Sequence, residues 1–489
     1  MCGVAAVFNV ADPCRKIIDM LNGLPHRGEN GAGIVLGGGP QDFLWERSEL
    51  TVTNLEDILD GKDSRGYSCG VGHIRYGTAG DRRSIDNAHP LMAKMSCGQV
   101  YLAQNGDSPF MDEDRQALAE KGQVLWTSSD SEIILQNMSI SGTDDLIKSV
   151  KHGLCAYRGT YAIAMLVKDN QGVIKLIAAR DRYGNRPLKL AKVGSGYAVA
   201  SEDVAFEKIG AEYIRDIAPG EILIISNEGL QTELIYGENV FGPLYQCVYE
   251  LVYFSDPTSK IFGVQVSGFR EILGSLLAKQ YGHLISPHDV VTYIPDSAKF
   301  YGEGFCNTLN RRLDTIILRT HATRSFIQEK QVIREDALRR KLNFMKHGIE
   351  EILTRNPFTR FWFVDDSIVR GNVSRKIISA FKKIAGKILK SMGYTHDVWV
   401  GWLSAAPALL GPCQKGIDMP GKEGKLVAPQ FLKSGFDVDT ESMAKYLDCN
   451  FVGYSRLTDL YDAVRFLGKR TEDYCFGCFE NRDPIWNKW

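Results

Sequence analysis

Phe361 to Ser374 reads FWFVDDSIVRGNVS, and this stretch decides how the second half of the chain is built. Phe361 to Val364 form a short continuous apolar run, as a strand buried on both faces requires. Asp365 and Asp366 follow, then a polar turn from Ser367 to Ser374 that holds Arg370, Gly371, Asn372 and Ser374. Beyond it, RKIISAFKKIAGKILK places Ile377, Ile378, Phe381, Ile384, Ile388 and Leu389 at helical spacing. A strand, a polar turn and a helix N-terminus make an anion site, because backbone N–H groups and the helix dipole point at it. Two carboxylates facing that anion would repel it; beside it they hold sugar hydroxyls or a divalent cation. The stretch therefore describes a ligand with a ribose and a phosphate. The competing reading is a polar strand-to-helix turn at the surface.

The chain has 489 residues, which argues for two or three domains, since one core stops growing at roughly 250–300 residues. Hydrophobic content of 44% and charged content of 24% are ordinary for a globular protein. A formal net charge of −1 gives no support for nucleic-acid or membrane binding. No apolar run reaches the roughly 18 residues of a membrane span, and the first residues do not read as a signal peptide. Eleven scattered cysteines, an odd number, fit a reducing, cytoplasmic setting with thiols used for chemistry or metal.

The first half opens Met1-Cys2-Gly3. Loss of Met1 would give Cys2 both a thiol and a free α-amine, so one residue supplies nucleophile and base. Alone this start is a weak signal. It gains weight from HRGENGAGI (Arg27), GHIRYGTAG (Arg75, Tyr76, Thr78), LAQNGDSPF (Asn105, Gly106) and SSDSEIIL (Asp130). Free glutamine presents an α-carboxylate, which an arginine fork holds, and an α-ammonium, which needs a carboxylate. Thioester formation passes through an oxyanion, which needs two fixed donors. Arg75, Asp130 and the Asn105 amide with the Gly106 N–H match these needs in turn.

Together these stretches resemble the class II glutamine amidotransferase domain, of the N-terminal-nucleophile hydrolase fold. The resemblance implies an αββα sandwich over residues 2–236, with Cys2 as nucleophile and Asn105 and Gly106 as oxyanion hole. Arg75 and Asp130 would hold the glutamine backbone, and Arg27, Tyr76 and Thr78 would shape the pocket. Gln104 stands where the family usually has histidine.

VDDSIVRG followed by a polar turn resembles the phosphoribosyl pyrophosphate (PRPP) signature of type I phosphoribosyltransferases, and within them the amidophosphoribosyltransferase family. The usual RGTTS is RGNVS here. A domain with a mainly parallel sheet is expected over 244–489, after a glycine- and proline-bearing link near Gly237 to Pro243. The implied PRPP-binding set is Asp296, Ser297, Arg324, Asp365, Asp366, Ser367, Arg370, Gly371, Asn372 and Ser374, with Ser297, Asp365 and Asp366 around Mg²⁺. Departures are Ala298 for the glycine of PDSG, and Thr320, His321 and Thr323 in the loop that closes over PRPP. Cys247, Cys413, Cys475 and Cys478 match the [4Fe–4S] ligands of the iron–sulfur-bearing branch; four thiolates also suit Zn²⁺, and four unrelated buried thiols remain an alternative.

The resemblance implies transfer of glutamine-derived ammonia to C1 of PRPP, giving 5-phosphoribosylamine, glutamate and pyrophosphate. In the family this opens purine synthesis under purine-nucleotide inhibition, in a homo-oligomer, dimer or tetramer. Two other readings stand beside it: a diverged paralogue delivering ammonia to another phosphosugar, and a non-enzymatic regulator that binds PRPP or nucleotides.

Overall fold

The computed structural model describes residues 1–77, 81, 84–237, 242–319, 342–417, 419, 426–435 and 437–486. Thr78, Arg324, Thr320, His321 and Thr323 lie outside the described residues.

Two antiparallel sheets stack face to face in the first half. The seven-stranded sheet runs Glu212–Asp216, Lys189–Val193, Gly196–Ala200, Gly3–Phe8, Cys69–Ile74, Ala32–Gly39, Asp42–Ser48. The six-stranded sheet runs Gly229–Leu234, Glu221–Ser226, Ile174–Arg180, Thr160–Asp169, Gly98–Asp107, Leu91–Met95. Strand residues alternate between two cores, as their period of two demands. Val4, Ala6 and Phe8 meet Ala162, Ala164 and Leu166 between the sheets. Ala5 and Val7 face outward onto the helix Pro13–Asn22 through Ile17, Ile18 and Leu21. The second sheet is covered on its outer face by Ser131–Ser139 and Leu146–Ala156. This is the αββα sandwich expected of the N-terminal-nucleophile hydrolase fold.

The second half carries a wholly parallel four-stranded sheet, ordered Val290–Tyr293, Arg360–Asp365, Trp399–Ser404, Phe451–Tyr454. Phe361 to Val364 are at most 1% exposed, because Arg360–Asp365 has a strand on each side and helices over its faces. Helix Asn372–Ser391 follows, burying Ile377, Ile378, Phe381 and Leu389, with Ile384 and Ile388 partly buried. It begins earlier than the sequence suggests. Gly371 takes a left-handed φ of 71° and closes the turn, so Asn372, Val373 and Ser374 form the helix's first turn. Helices Val266–Tyr281 and Lys299–Thr308 cross closely where Gly274 and Gly304 meet; a Cβ on either would lie 2.0 Å from the other helix's backbone.

Between the halves, Gln246–Cys247 pairs in parallel with Tyr474–Cys475, which ties the end of the chain to the segment that joins the two sheet systems. A π-helical turn, Glu250–Phe254, follows directly. The Arg270 guanidinium fixes it from beneath by donating to the Leu251, Tyr253 and Ser255 carbonyls, and the Tyr301 hydroxyl donates to that of Val252. No helix among the described residues is long and apolar enough to cross a membrane.

Candidate active site

Cys2 stands at the head of Gly3–Phe8, the central strand of its sheet. Its amide N–H donates to Asn105 Oδ1 at 3.2 Å, and its Sγ accepts from the Tyr76 N–H at 3.4 Å. The thiol thus lies against the Tyr76 backbone and the end of Gly98–Asp107, the strand that carries Asn105 and Gly106. The sequence reads as a strand ending at Asn105-Gly106; it runs one residue further, to Asp107, paired Asn105↔Ala162, Gly106↔Tyr161 and Asp107↔Thr160. That pairing explains the glycine, since a Cβ on Gly106 would fall 1.9 Å from the Thr160 carbonyl oxygen. Asn105 Nδ2 is buried with no hydrogen-bond partner in the structure. An unpaired buried amide beside a thiol is the feature an oxyanion hole needs before substrate arrives.

Arg75 follows the strand Cys69–Ile74 rather than lying in it, and is buried. Its Nη2 donates to the Asp81 carbonyl at 3.1 Å, which Asn87 Nδ2 also holds at 2.9 Å. Asp130 occupies the N-cap position of Ser131–Ser139, yet its carboxylate does not cap the helix. It accepts instead from the Tyr157 hydroxyl and from Gln104 Nε2 at 3.3 Å. Gln104 therefore supports Asp130. Burial pushes the Asp130 carboxyl up, opposed by Tyr157 and Arg75. Asp107, next to Gly106, is pushed well up by burial and by Asp130. Asp107 and Tyr157 escaped the sequence reading: one lay unremarked in LAQNGDSPF, and the other is far away along the chain.

Beneath this site His73 and His89 are wholly enclosed. His73 Nε2 donates to the Gln104 carbonyl at 2.9 Å and lies 3.3 Å from His89 Nδ1. Burial brings the His73 pKa down to about 3, so the pair is neutral and packs under the strand that carries Asn105.

In the second half the acidic pair sits at the carboxyl edge of the parallel sheet, where ligands of open α/β sheets bind. Amides of Ala405 and Ala406 donate to the Asp365 and Asp366 carbonyls at 2.8 Å each, which fixes both residues. Asp365 and Asp366 are 8% and 5% exposed. The Ser367 hydroxyl donates to Asp366 Oδ1 at 2.7 Å, and the Ser297 hydroxyl also hydrogen-bonds that carboxylate. Burial raises both carboxyls, and on Asp365 the Asp366 charge adds to it. Two carboxylates and a hydroxyl are a hard oxygen set, which suits Mg²⁺ completed by waters and substrate oxygens. Asp296 is exposed, 3.4 Å from Arg319 Nη1. Ala298 has φ −92°, ψ 4°, a conformation open to any residue, so the backbone here does not require glycine. Ser374 is buried, while Arg370 and Asn372 face solvent at the mouth of the turn.

With both sites in view, comparison with known proteins is decisive. A glutamine amidotransferase domain model matches residues 81–208. An amidophosphoribosyltransferase of Methanocaldococcus jannaschii is 32% identical, over 99% of this chain and 98% of its own. The chain belongs to the amidophosphoribosyltransferase family. One from Bacillus subtilis is 30% identical over 99% of this chain and 94% of its own. The solved glutamine PRPP amidotransferase from B. subtilis, complexed with ADP and GMP, superposes with a TM-score of 0.80 at 29% identity, covering 99% of this chain and 97% of that one.

Arg27 is fully buried, and its guanidinium binds Glu202 and, at 2.8 Å, Glu250 across the two halves. Its Nη1 donates to the Cys2 carbonyl at 3.5 Å, so it reaches the Cys2 backbone. Burial alone would raise the Glu202 carboxyl, but Arg27 and His26 outweigh it and hold it well below the usual range. Glu250 Oε1 lies 3.7 Å from Arg186 Nη1, and Arg186 donates to the Lys415 carbonyl. Four wholly buried charges, two of each sign, therefore stitch the sandwich to the parallel-sheet half.

Lys415 belongs to the segment that carries Cys413, and its amide N–H points to Cys413 Sγ at 3.4 Å. Cys247 and Cys475 are register partners. The amides of Leu410 and Gly411 donate to the Cys478 carbonyl at 2.8 and 3.0 Å. Burial pushes the Cys247 thiol up to about 12 and raises Cys475 and Cys478, to which the neighbouring cysteines add. The four cysteines thus gather in one region. Among the described residues, however, no three Cys, His, Asp or Glu side chains stand close enough to hold a metal ion.

Proposed function

We propose that this chain is a glutamine-dependent amidophosphoribosyltransferase, with a glutaminase domain over residues 2–236 and a phosphoribosyltransferase domain over 244–489. The observation that carries this reading is the turn Tyr249–Phe254, which touches both sites at once. Phe254 packs edge-on to Tyr76, 6.5 Å between ring centres, beside the Cys2 thiol. Tyr253 feels the charges of Asp366 and Asp365 and also lies near Tyr76.

After loss of Met1 the Cys2 α-amine takes the thiol proton, and sulfur attacks the carboxamide carbon of glutamine. Asn105 Nδ2 and the Gly106 N–H hold the resulting oxyanion, Arg75 the α-carboxylate and Asp130 the α-ammonium. The C–N bond breaks, ammonia leaves with the proton, and water releases glutamate from the thioester. Ammonia then attacks C1 of PRPP; the C1–O bond to pyrophosphate breaks and one proton is lost, giving 5-phosphoribosylamine. Asp365, Asp366 and Ser297 would hold Mg²⁺, which when bound neutralises the departing pyrophosphate. The amides of the first turn of Asn372–Ser391, with Ser374, cradle the 5′-phosphate. Cys247, Cys413, Cys475 and Cys478 gather in one region, but as folded here no three of these thiols stand close enough to hold a metal ion; iron, sulfide and zinc assays of anaerobically purified protein decide between a [4Fe–4S] cluster, Zn²⁺ and four free thiols. Purine nucleotides are the proposed effectors, and the working form is a homo-oligomer.

The test is pyrophosphate release from PRPP, with glutamine and separately with ammonia. Release with both is expected. Intact glutaminase activity with release from neither would overturn PRPP as the acceptor.

A further inference from the structure

Tyr249 is 2% exposed, and three rings enclose it: Phe254 at 5.5 Å, Tyr253 at 5.9 Å and Phe479 at 6.0 Å between centres. A buried phenol needs a hydrogen-bond partner, and this one has Ser367 Oγ at 2.9 Å. The direction of the bond follows from the next link. A carboxylate only accepts, so the Ser367 hydroxyl spends its proton on Asp366 Oδ1 at 2.7 Å. Tyr249 must therefore be the donor to Ser367. The chain Tyr249 O–H to Ser367 O–H to Asp366 carboxylate is polarised one way, and each link strengthens the next.

The anchor of this chain is rigid. Tyr249 immediately precedes the π-helical turn whose carbonyls Arg270 and Tyr301 hold. Its neighbour Glu250 points the other way, onto Arg27 at 2.8 Å. A hydroxyl on a fixed ring can set the rotamer of Ser367, and Ser367 sets where the lone pairs of Asp366 face.

We propose that Tyr249 is a positioning residue for the acidic pair, acting through Ser367 to aim the Asp366 carboxylate at the cation of a Mg²⁺–PRPP complex. This rests on reading the acidic pair as the PRPP site. Tyr249 touches neither substrate nor metal. Its contribution is orientation, and it belongs to affinity for the cation-bearing phosphosugar.

The test is calorimetric titration of the full-length protein with PRPP at saturating Mg²⁺, comparing wild type, Tyr249→Phe, Ser367→Ala and the double variant. Tyr249→Phe keeps the ring and its packing, so the fold survives. Loss of one buried hydrogen bond is expected to weaken Mg²⁺–PRPP binding about three- to tenfold. The double variant is expected to match Ser367→Ala alone, because Tyr249 acts only through that serine. A merely structural tyrosine would give losses that multiply. Equal affinity of wild type and Tyr249→Phe, or multiplying losses, overturns the proposal while leaving PRPP binding in place. A wild type that binds no PRPP with Mg²⁺ overturns the functional reading, and the positioning role with it.

Discussion

Each half of the molecule holds a pair of neighbouring carboxylates, half-buried Asp107 with buried Asp130 and buried Asp365 with buried Asp366, and the two pairs are surrounded differently. In both, burial raises the carboxyls and a neighbour's charge opposes ionisation. Around the first, the protein supplies the compensation: the Tyr157 hydroxyl, Gln104 Nε2, the Ser108 and Gly416 amides, and the cations Arg75 and Arg186. Around the second stand the hydroxyls of Ser297 and Ser367, the Asp366 amide on Asp365, and the charge of Arg270. In both pairs the carboxyls stay raised, so each pair favours a bound positive charge. The first is surrounded mostly by amide and guanidinium donors, which leaves room for a single positive charge; the second is surrounded mostly by hydroxyls, oxygen groups that suit a divalent cation beside them.

If the halves are chemically separate in this way, Cys2→Ala should lower glutamine-dependent pyrophosphate release on the order of 10⁴-fold while ammonia-dependent release persists. Parallel loss of both, in a protein that still melts normally, would mean the sites are not separable.

Glu250→Gln tests the charges that join the two halves. Removing one partner leaves Arg186 buried without its carboxylate and Arg27 with Glu202 alone, at a cost of about 3–5 kcal/mol. Urea unfolding followed by fluorescence should show the midpoint fall, and an unchanged midpoint would remove Glu250 from the account of how the halves hold together.

Asp365→Asn relieves repulsion but removes a cation ligand. Metal-free protein should melt about 2 °C higher, while Mg²⁺–PRPP binding weakens about 100-fold or more. Asp130→Asn should gain less, because the Tyr157 hydroxyl and Gln104 Nε2 already hydrogen-bond its carboxylate. A gain at Asp130 and none at Asp365 would reverse the comparison.

The smallest effect concerns His73. Its folded pKa of about 3 lies below the unfolded value near 6.5, so the native state binds fewer protons and stability falls as pH drops below about 6.5. Between pH 7.5 and pH 5 this amounts to about 2 kcal/mol, which His73→Gln should abolish. Hydrogen exchange of the Cys69–Ile74 amides reads it locally. Identical pH slopes in wild type and variant would sink the assignment.

The two pairs also divide in how far they could be read ahead. Asp365 and Asp366 announce themselves because they interrupt an apolar run that can only be a buried strand, and a local pattern suffices for a strand, turn and helix. Asp130 needed a chemical argument from the glutamine molecule. Its partners Gln104 and Tyr157 lie 26 and 27 residues away, and no spacing rule joins them. The reading of Arg27 stopped at the pocket, because Glu202 and Glu250, 175 and 223 residues distant, were not yet its neighbours. The turn at Gly371 was drawn three residues too long, since composition does not reveal which glycine takes a positive φ.

Sequence alone determined the two-part architecture and the order of its motifs, because strand period and helical spacing are local. Tertiary structure decided the rest: that a single turn, Tyr249–Phe254, reaches Tyr76 beside Cys2 at one end and Ser367 beside Asp366 at the other, that four charges are buried where the halves meet, and which groups surround each carboxylate pair. Those facts rest on contacts between segments hundreds of residues apart, and only burial and close packing of the folded chain create them.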